Sequence, residues 1–171
     1  MVALRCTRKL ALLLNATPMS APQPSTTALG DWYGNVVPTT GGTLAVFVNE
    51  RTLLAVAVPL GQGHDLIPFF YRRVANLLSM IGVPDGLIEL ELQEMQVLQL
   101  AKTSNRRILS AMNQVAFELQ GMVDRVPKGT KLSLSDAEVE LSDYPHGALR
   151  HTSPARIAQE LLTSTGMWRE T

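Results

Sequence analysis

Hydrophobic residues recur along the chain at two periods, and the switch between them lays out the elements. Val2–Cys6 reads as a short strand and residues 7–14 as a short helix with Leu10, Leu13 and Leu14 on one face. Residues 17–28 break the pattern: Pro18, Pro22 and Pro24 among Ser and Thr keep the backbone extended and predict a loop. Asp31–Val37, Thr43–Asn49 and Thr52–Val58 are apolar runs rich in β-branched residues, the first also carrying Trp32 and Tyr33. Thr40-Gly41-Gly42 is a turn, and Asn49-Glu50-Arg51 separates the last two runs as in a hairpin. Both faces of those two runs are apolar, which predicts central strands covered on both sides, or on one side and at a dimer contact.

Beyond Pro59 the period lengthens to that of a helix. Leu66–Ile81 places Phe70, Val74, Leu77, Leu78 and Ile81 at helical spacing, with Gly82 as its cap and Pro84 opening a second helix to about Met95. Gln96–Ala101 reads as a strand. A long helix then runs to about Asp124, with Ile108, Met112, Val115, Leu119 and Met122 at 4-3-4-3 spacing. Residues 131–141 fit a strand or a short helix, and Tyr144-Pro145-His146-Gly147 fits a turn. A last helix begins at Pro154, capped by Thr152 or Ser153, with Ile157, Leu161 and Leu162 on its face. The sum is an α+β fold: a small antiparallel or mixed sheet of three to five strands packed against three or four helices. Residues 1–171 are expected to form a single domain with the 17–28 loop inside it.

Composition narrows the class. A chain of 171 residues with 46% hydrophobic residues can bury a core without disulfides or metals. Charged residues make up only 18%, so the surface has room for an apolar contact, and a homodimer is one expected partner arrangement. A formal net charge of +0 argues against a general nucleic-acid binder and leaves room for a local basic patch. Cys6 is the only cysteine, which excludes an intrachain disulfide and points to a buried thiol in a reducing cytoplasm. The apolar run after Arg5, Arg8 and Lys9 ends at Asn15, short for a signal peptide, and no stretch reaches the roughly 20 apolar residues of a membrane span. A cytoplasmic protein without a membrane partner is expected.

Candidate chemistry is sparse. The chain carries neither a Gly-Xaa-Ser-Xaa-Gly elbow nor a phosphate loop, and Gly61-Gln62-Gly63-His64 is too short for a dinucleotide fingerprint. Asp143, His146 and His151 lack ligand spacing and a fourth donor, so no metal and no cofactor is expected. The richest polar stretch runs from Lys102 to Asn113. Thr103 or Ser104 is placed to cap the long helix, Lys102, Arg106 and Arg107 add positive charge, and Arg106, Ser110 and Asn113 share one helical face. The pairing of Asn113 with Met112 suggests a recessed polar face. Free N–H groups and cations at a helix start bind anions. The same cations oppose the helix dipole and call for a negative partner, either internal (Asp31 or Glu50) or external. Gly30-Asp31-Trp32-Tyr33 fits a ring-stacking site or a strand anchored in the core.

Four blocks carry a resemblance: Arg5-Cys6-Thr7-Arg8-Lys9-Leu10, Leu29-Gly30-Asp31-Trp32-Tyr33-Gly34-Asn35, Val48-Asn49-Glu50-Arg51-Thr52-Leu53-Leu54, and Lys102 to Asn113. In order and spacing they resemble an uncharacterised prokaryotic family filed as a domain of unknown function. The resemblance implies a bacterial, cytoplasmic, single-domain protein and brings no activity. The leading expectation is a non-enzymatic binding or interaction module. Its candidate site comprises Lys102, Thr103, Asn105, Arg106 and Asn113, helped by Asp31, Asn49, Glu50 and Arg51, and takes an anionic ligand or nucleic acid. One alternative is a hydrolase or transferase for a phosphorylated or nucleotide substrate, with Glu50 or Asp31 as base and Lys102 and Arg106 stabilising charge. The other is a structural or accessory protein of a mobile element or stress system.

Overall fold

The first strand pairs in parallel with two strands far apart in sequence. β1 (Val2–Cys6) lies between β2 (Trp32–Thr39) and β5 (Leu98–Lys102), with Leu4 opposite both Trp32 and Leu100. β2 turns back into β3 (Gly42–Asn49), and β3 into β4 (Ala55–Pro59), both antiparallel. The result is a five-stranded mixed sheet in the order β4-β3-β2-β1-β5. This computed structural model describes residues 1–61, 63 and 65–169; Gln62 and His64 of the Gly61–His64 segment lie outside the described residues.

The helices are α1 (Arg8–Leu13), α2 (Leu66–Met80), α3 (Asp85–Glu94), α4 (Arg106–Arg125), α5 (Leu134–Asp143) and α6 (Pro154–Arg169). The α+β class holds, with the sheet at the upper end of the expected size. More helices cover it than the three or four expected, partly because most of the 131–141 segment, from Leu134 on, resolves as helix. Ser133 accounts for that choice: its hydroxyl accepts the Asp136 N–H at 3.3 Å and caps α5. Gly82 ends α2 as the sequence predicts, with the Val83 N–H bonded to Leu78 O and the Gly82 N–H to Ser79 O, a left-handed glycine stop.

Apolar side chains leave the sheet on both faces. Leu4, Trp32, Phe47 and Val56 pack with Leu10 of α1, Phe70, Val74 and Leu77 of α2, Ile88 of α3 and Leu162 of α6. On the other face Tyr33, Val37, Val46 and Val48 meet the α4 stripe Ile108, Met112, Val115, Leu119 and Met122, and Leu141 of α5. The expectation that β3 and β4 are both central is corrected in part. Both are covered on two faces, but β4 borders the sheet. Apolar faces report what lies above and below a strand and say nothing of its hydrogen-bonding edge. The 17–28 loop runs along the opposite border, where Met19 exchanges backbone bonds with Leu100 and Lys102.

Gly34 marks the tightest point between α1 and the sheet. A Cβ there would lie 2.4 Å from Leu10 Cδ2 and 3.0 Å from the Phe47 ring. Gly34→Ala is expected to cost about 1–3 kcal/mol through overpacking. Urea unfolding checks this, and an unchanged midpoint would count against so close an approach.

Candidate functional site

Asn49 is fully buried at the end of β3 and organises the loop into β4. Its Oδ1 accepts the Arg51 N–H (3.1 Å), the Thr52 N–H (3.0 Å) and the Thr52 hydroxyl (2.9 Å), while Nδ2 donates to Asp31 O at 3.2 Å. These bonds hold Leu53 at φ 60, a left-handed conformation that a leucine rarely adopts. Glu50 turns back so that Oε1 accepts the Asp31 N–H at 3.3 Å, and Arg51 donates to Ala28 O at 2.9 Å. Gly30 (φ +77) lets them pass: a Cβ there would sit 2.8 Å from Arg51 Nε.

Asp31 faces the neighbouring strand. Its carboxylate accepts the Ala3 N–H and Arg5 Nε, each at 3.1 Å. Arg5 also donates to Lys102 O at 3.2 Å and lies 5.9 Å from the centroid of the Tyr33 ring, whose hydroxyl is 3.3 Å from Ser104 Oγ. Asn49 and Glu50 therefore bond the Asp31 backbone in one polar hub at the start of β2, with the exposed Arg51 tied to Ala28 at its rim. Arg5, which stood outside the candidate list, is the cation that joins this hub to the end of β5. Asp31 and Glu50 are engaged there and do not ion-pair with α4, correcting the internal-partner expectation. Trp32 and Tyr33 are each about 1% exposed, so the stacking alternative gives way to core anchoring; Trp32 meets Phe70 edge-on at 5.4 Å.

The second group of candidates lies at the start of α4. Asn105, rather than Thr103 or Ser104, is the N-cap, its Oδ1 accepting the Arg107 N–H at 3.0 Å. Lys102, Asn105, Arg106 and Arg107 are exposed and Thr103 is half-buried. Arg107 donates to Ala148 O at 2.9 Å. Among the described residues, no carboxylate stands within ion-pair distance of Lys102, Arg106 or Arg107. Asn113 is exposed two turns further on, which corrects the recessed polar face: it points away from the sheet while its neighbour Met112 points in.

Two buried carboxylates went unnoticed in the sequence. Glu91 on α3 accepts the Ala28 and Leu29 N–H groups at 2.8 and 3.0 Å. Glu138 on α5, 1% exposed, accepts the Ala57 N–H of β4 at 2.8 Å and binds Arg73 of α2 through both oxygens, at 3.0 and 2.5 Å. Each lies on the buried side of its helix, Glu91 next to the 28–29 loop and Glu138 next to β4, and a carboxylate among apolar positions is the signal the sequence offers. Cys6 is buried, and burial pushes its thiol up to about 11, far from a reactive thiolate. Among the described residues no three His, Cys, Asp or Glu side chains are grouped to hold a metal ion, and no helix is long and apolar enough to cross a membrane.

The family model described as Domain of unknown function (DUF6933) matches residues 3–157. The chain belongs to the DUF6933 family. All four blocks quoted from the sequence fall inside that match. No curated protein matches the chain. Membership in DUF6933 brings no reaction or ligand with it, so the working surface has to be argued from the side chains.

Proposed function

We propose that this DUF6933 protein is a non-enzymatic cytoplasmic binding module that receives an anionic group at the basic end of α4. One observation carries the reading: Lys102 and Arg106 are exposed and unpaired while the nearby carboxylates, Asp31 and Glu50, are engaged with β1 and β2. The cations stand where they oppose the helix dipole, and an incoming carboxylate or phosphate relieves that opposition and forms charge-assisted bonds. A cluster this small, on a chain of zero net charge, suits a compact anion better than a nucleic-acid backbone, whose binding draws on many phosphate contacts.

Thermal unfolding with and without inorganic phosphate, at constant ionic strength and low protein concentration, tests the reading. Wild type should gain stability with phosphate, while the Lys102→Ala/Arg106→Ala double variant should not respond. The double variant should unfold within about 0.5 kcal/mol of wild type in phosphate-free buffer, because both side chains are exposed and unpaired. A wild type indifferent to phosphate, or a double variant that still responds, would overturn the proposal.

A further inference from the structure

α4 carries two seams. Ile108, Met112, Val115, Leu119 and Met122 face the sheet. Arg106, Ser110, Asn113, Phe117, Gln120 and Asp124 recur at 4-3-4-3-4 spacing on the opposite side. At 100° per residue, Arg106, Asn113, Phe117 and Asp124 fall within about 20° of one line down the helix. All four are exposed, and Phe117 at 75% is the most exposed large apolar side chain among the described residues. Open clefts flank Phe117 on both sides. One, of ≈ 360 Å³, is lined in part by Gln114, Arg125, Tyr144 and His146, and the other, of ≈ 500 Å³, in part by Pro38, Thr40 and Gln120.

We infer that the outer seam of α4 binds the same seam of a second copy of this chain, antiparallel about a twofold axis near residue 115. Resting on the anion-receiving reading, this names the anion offered to Arg106 as the carboxylate of Asp124 from the other copy. Heptad spacing is what lets two helices keep one seam in register, and an antiparallel pair sets each position against its mirror about the axis. Arg106 and Asp124 both lie nine residues from position 115, so each Arg106 comes level with an Asp124. Ser110 comes level with Gln120 and Asn113 with Phe117. The charges at the two ends are thus complementary only when the helices run in opposite directions; a parallel pair sets Arg106 on Arg106 and Asp124 on Asp124. Each end is available: Arg106 has no hydrogen bond or ion pair among the described residues, and Asp124 uses Oδ1 alone, accepting from Thr40 at 2.8 Å. The helix is about 30 Å long, which gives the seam five helical turns of contact. Phe117 supplies its apolar centre and the flanking clefts seat the neighbouring side chains of the second copy.

Sedimentation analysis of the whole chain across a concentration series tests this, using Arg106→Asp and Asp124→Arg separately and mixed. Wild type should dimerise. Each single variant should dimerise at least about tenfold more weakly, since it sets like charges at both ends of the seam. An equimolar mixture of the two should dimerise as wild type does, because every 106–124 contact then joins opposite charges. Phe117→Ser should also weaken dimerisation about tenfold with an unchanged thermal midpoint for the monomer. A wild type that stays monomeric at every concentration, a dimer indifferent to these substitutions, or a mixture that fails to recover would overturn the inference. A monomeric wild type still stabilised by phosphate through Lys102 and Arg106 would overturn the self-association alone and leave the anion-receiving reading standing. Loss of both responses would overturn both.

Discussion

Asn49→Ala is expected to lower stability by about 3–5 kcal/mol, the sum of the buried donors and acceptors it would strand. The Thr52 N–H and hydroxyl and the Arg51 N–H all converge on Asn49 Oδ1, and Asp31 O takes its Nδ2–H. Alanine supplies none of these partners, and a completely buried site admits no water to replace them. The same bonds hold Leu53 in its left-handed conformation, and the strain released on their removal offsets only part of that cost. A loss of this size is a large fraction of the roughly 5–15 kcal/mol that holds a domain folded. Arg51→Ala, which removes an exposed guanidinium bonded to one carbonyl, should cost no more than about 1 kcal/mol. Urea unfolding of the two variants separates the amide from the charge of its neighbour. A loss below about 1 kcal/mol for Asn49→Ala would show that the loop does not depend on it.

The contrast between these residues explains what the sequence made legible. Periodicity located β1, β3, β4, α2, α4 and α6 because each element buries a face, and burial writes itself into spacing. It placed Glu50 and Arg51 in a turn, while Asn49 closes β3 and the turn runs on through Thr52. It could not show that Asp31 reaches Arg5 on the neighbouring strand, since the parallel pairing of β1 with β2, and the Asp31–Arg5 bond across 26 positions, leave no local signature. In the polar stretch at Lys102 the cap falls one or two positions beyond the expected Thr103 or Ser104. Thr103, Ser104 and Asn105 can all cap, and only the path out of β5 selects Asn105. Phe117 has no local signature either, because an apolar residue midway between the core positions Val115 and Leu119 looks, in sequence, like part of the same seam.

Glu138→Ala is expected to cost about 3–5 kcal/mol, the penalty for breaking a buried ion pair from one side. It strands the Ala57 N–H on the border strand β4 and leaves the Arg73 guanidinium, largely shielded from water, without its carboxylate. Replacing both Arg73 and Glu138 by methionine should cost less than the two single losses combined, because no charge is then left alone. The Ala57 N–H remains without a partner, so the double variant should not regain wild-type stability. The carboxyl also gives the site a pH dependence. Burial pushes Glu138 above its ordinary value of 4.5, outweighing the downward pull of the Ala57 N–H and of Arg73. An acid whose folded value is raised adds stability below its unfolded value and loses that contribution as pH rises through the folded one. The gap in stability between wild type and Glu138→Gln, which does not titrate, should therefore narrow as pH rises from about 4.5 through that window. Urea midpoints for both proteins across the acidic range measure it. A gap that widens with pH would mean that Arg73 governs the carboxyl rather than burial, and that the pair at the edge of β4 is held by charge more than by the core around it.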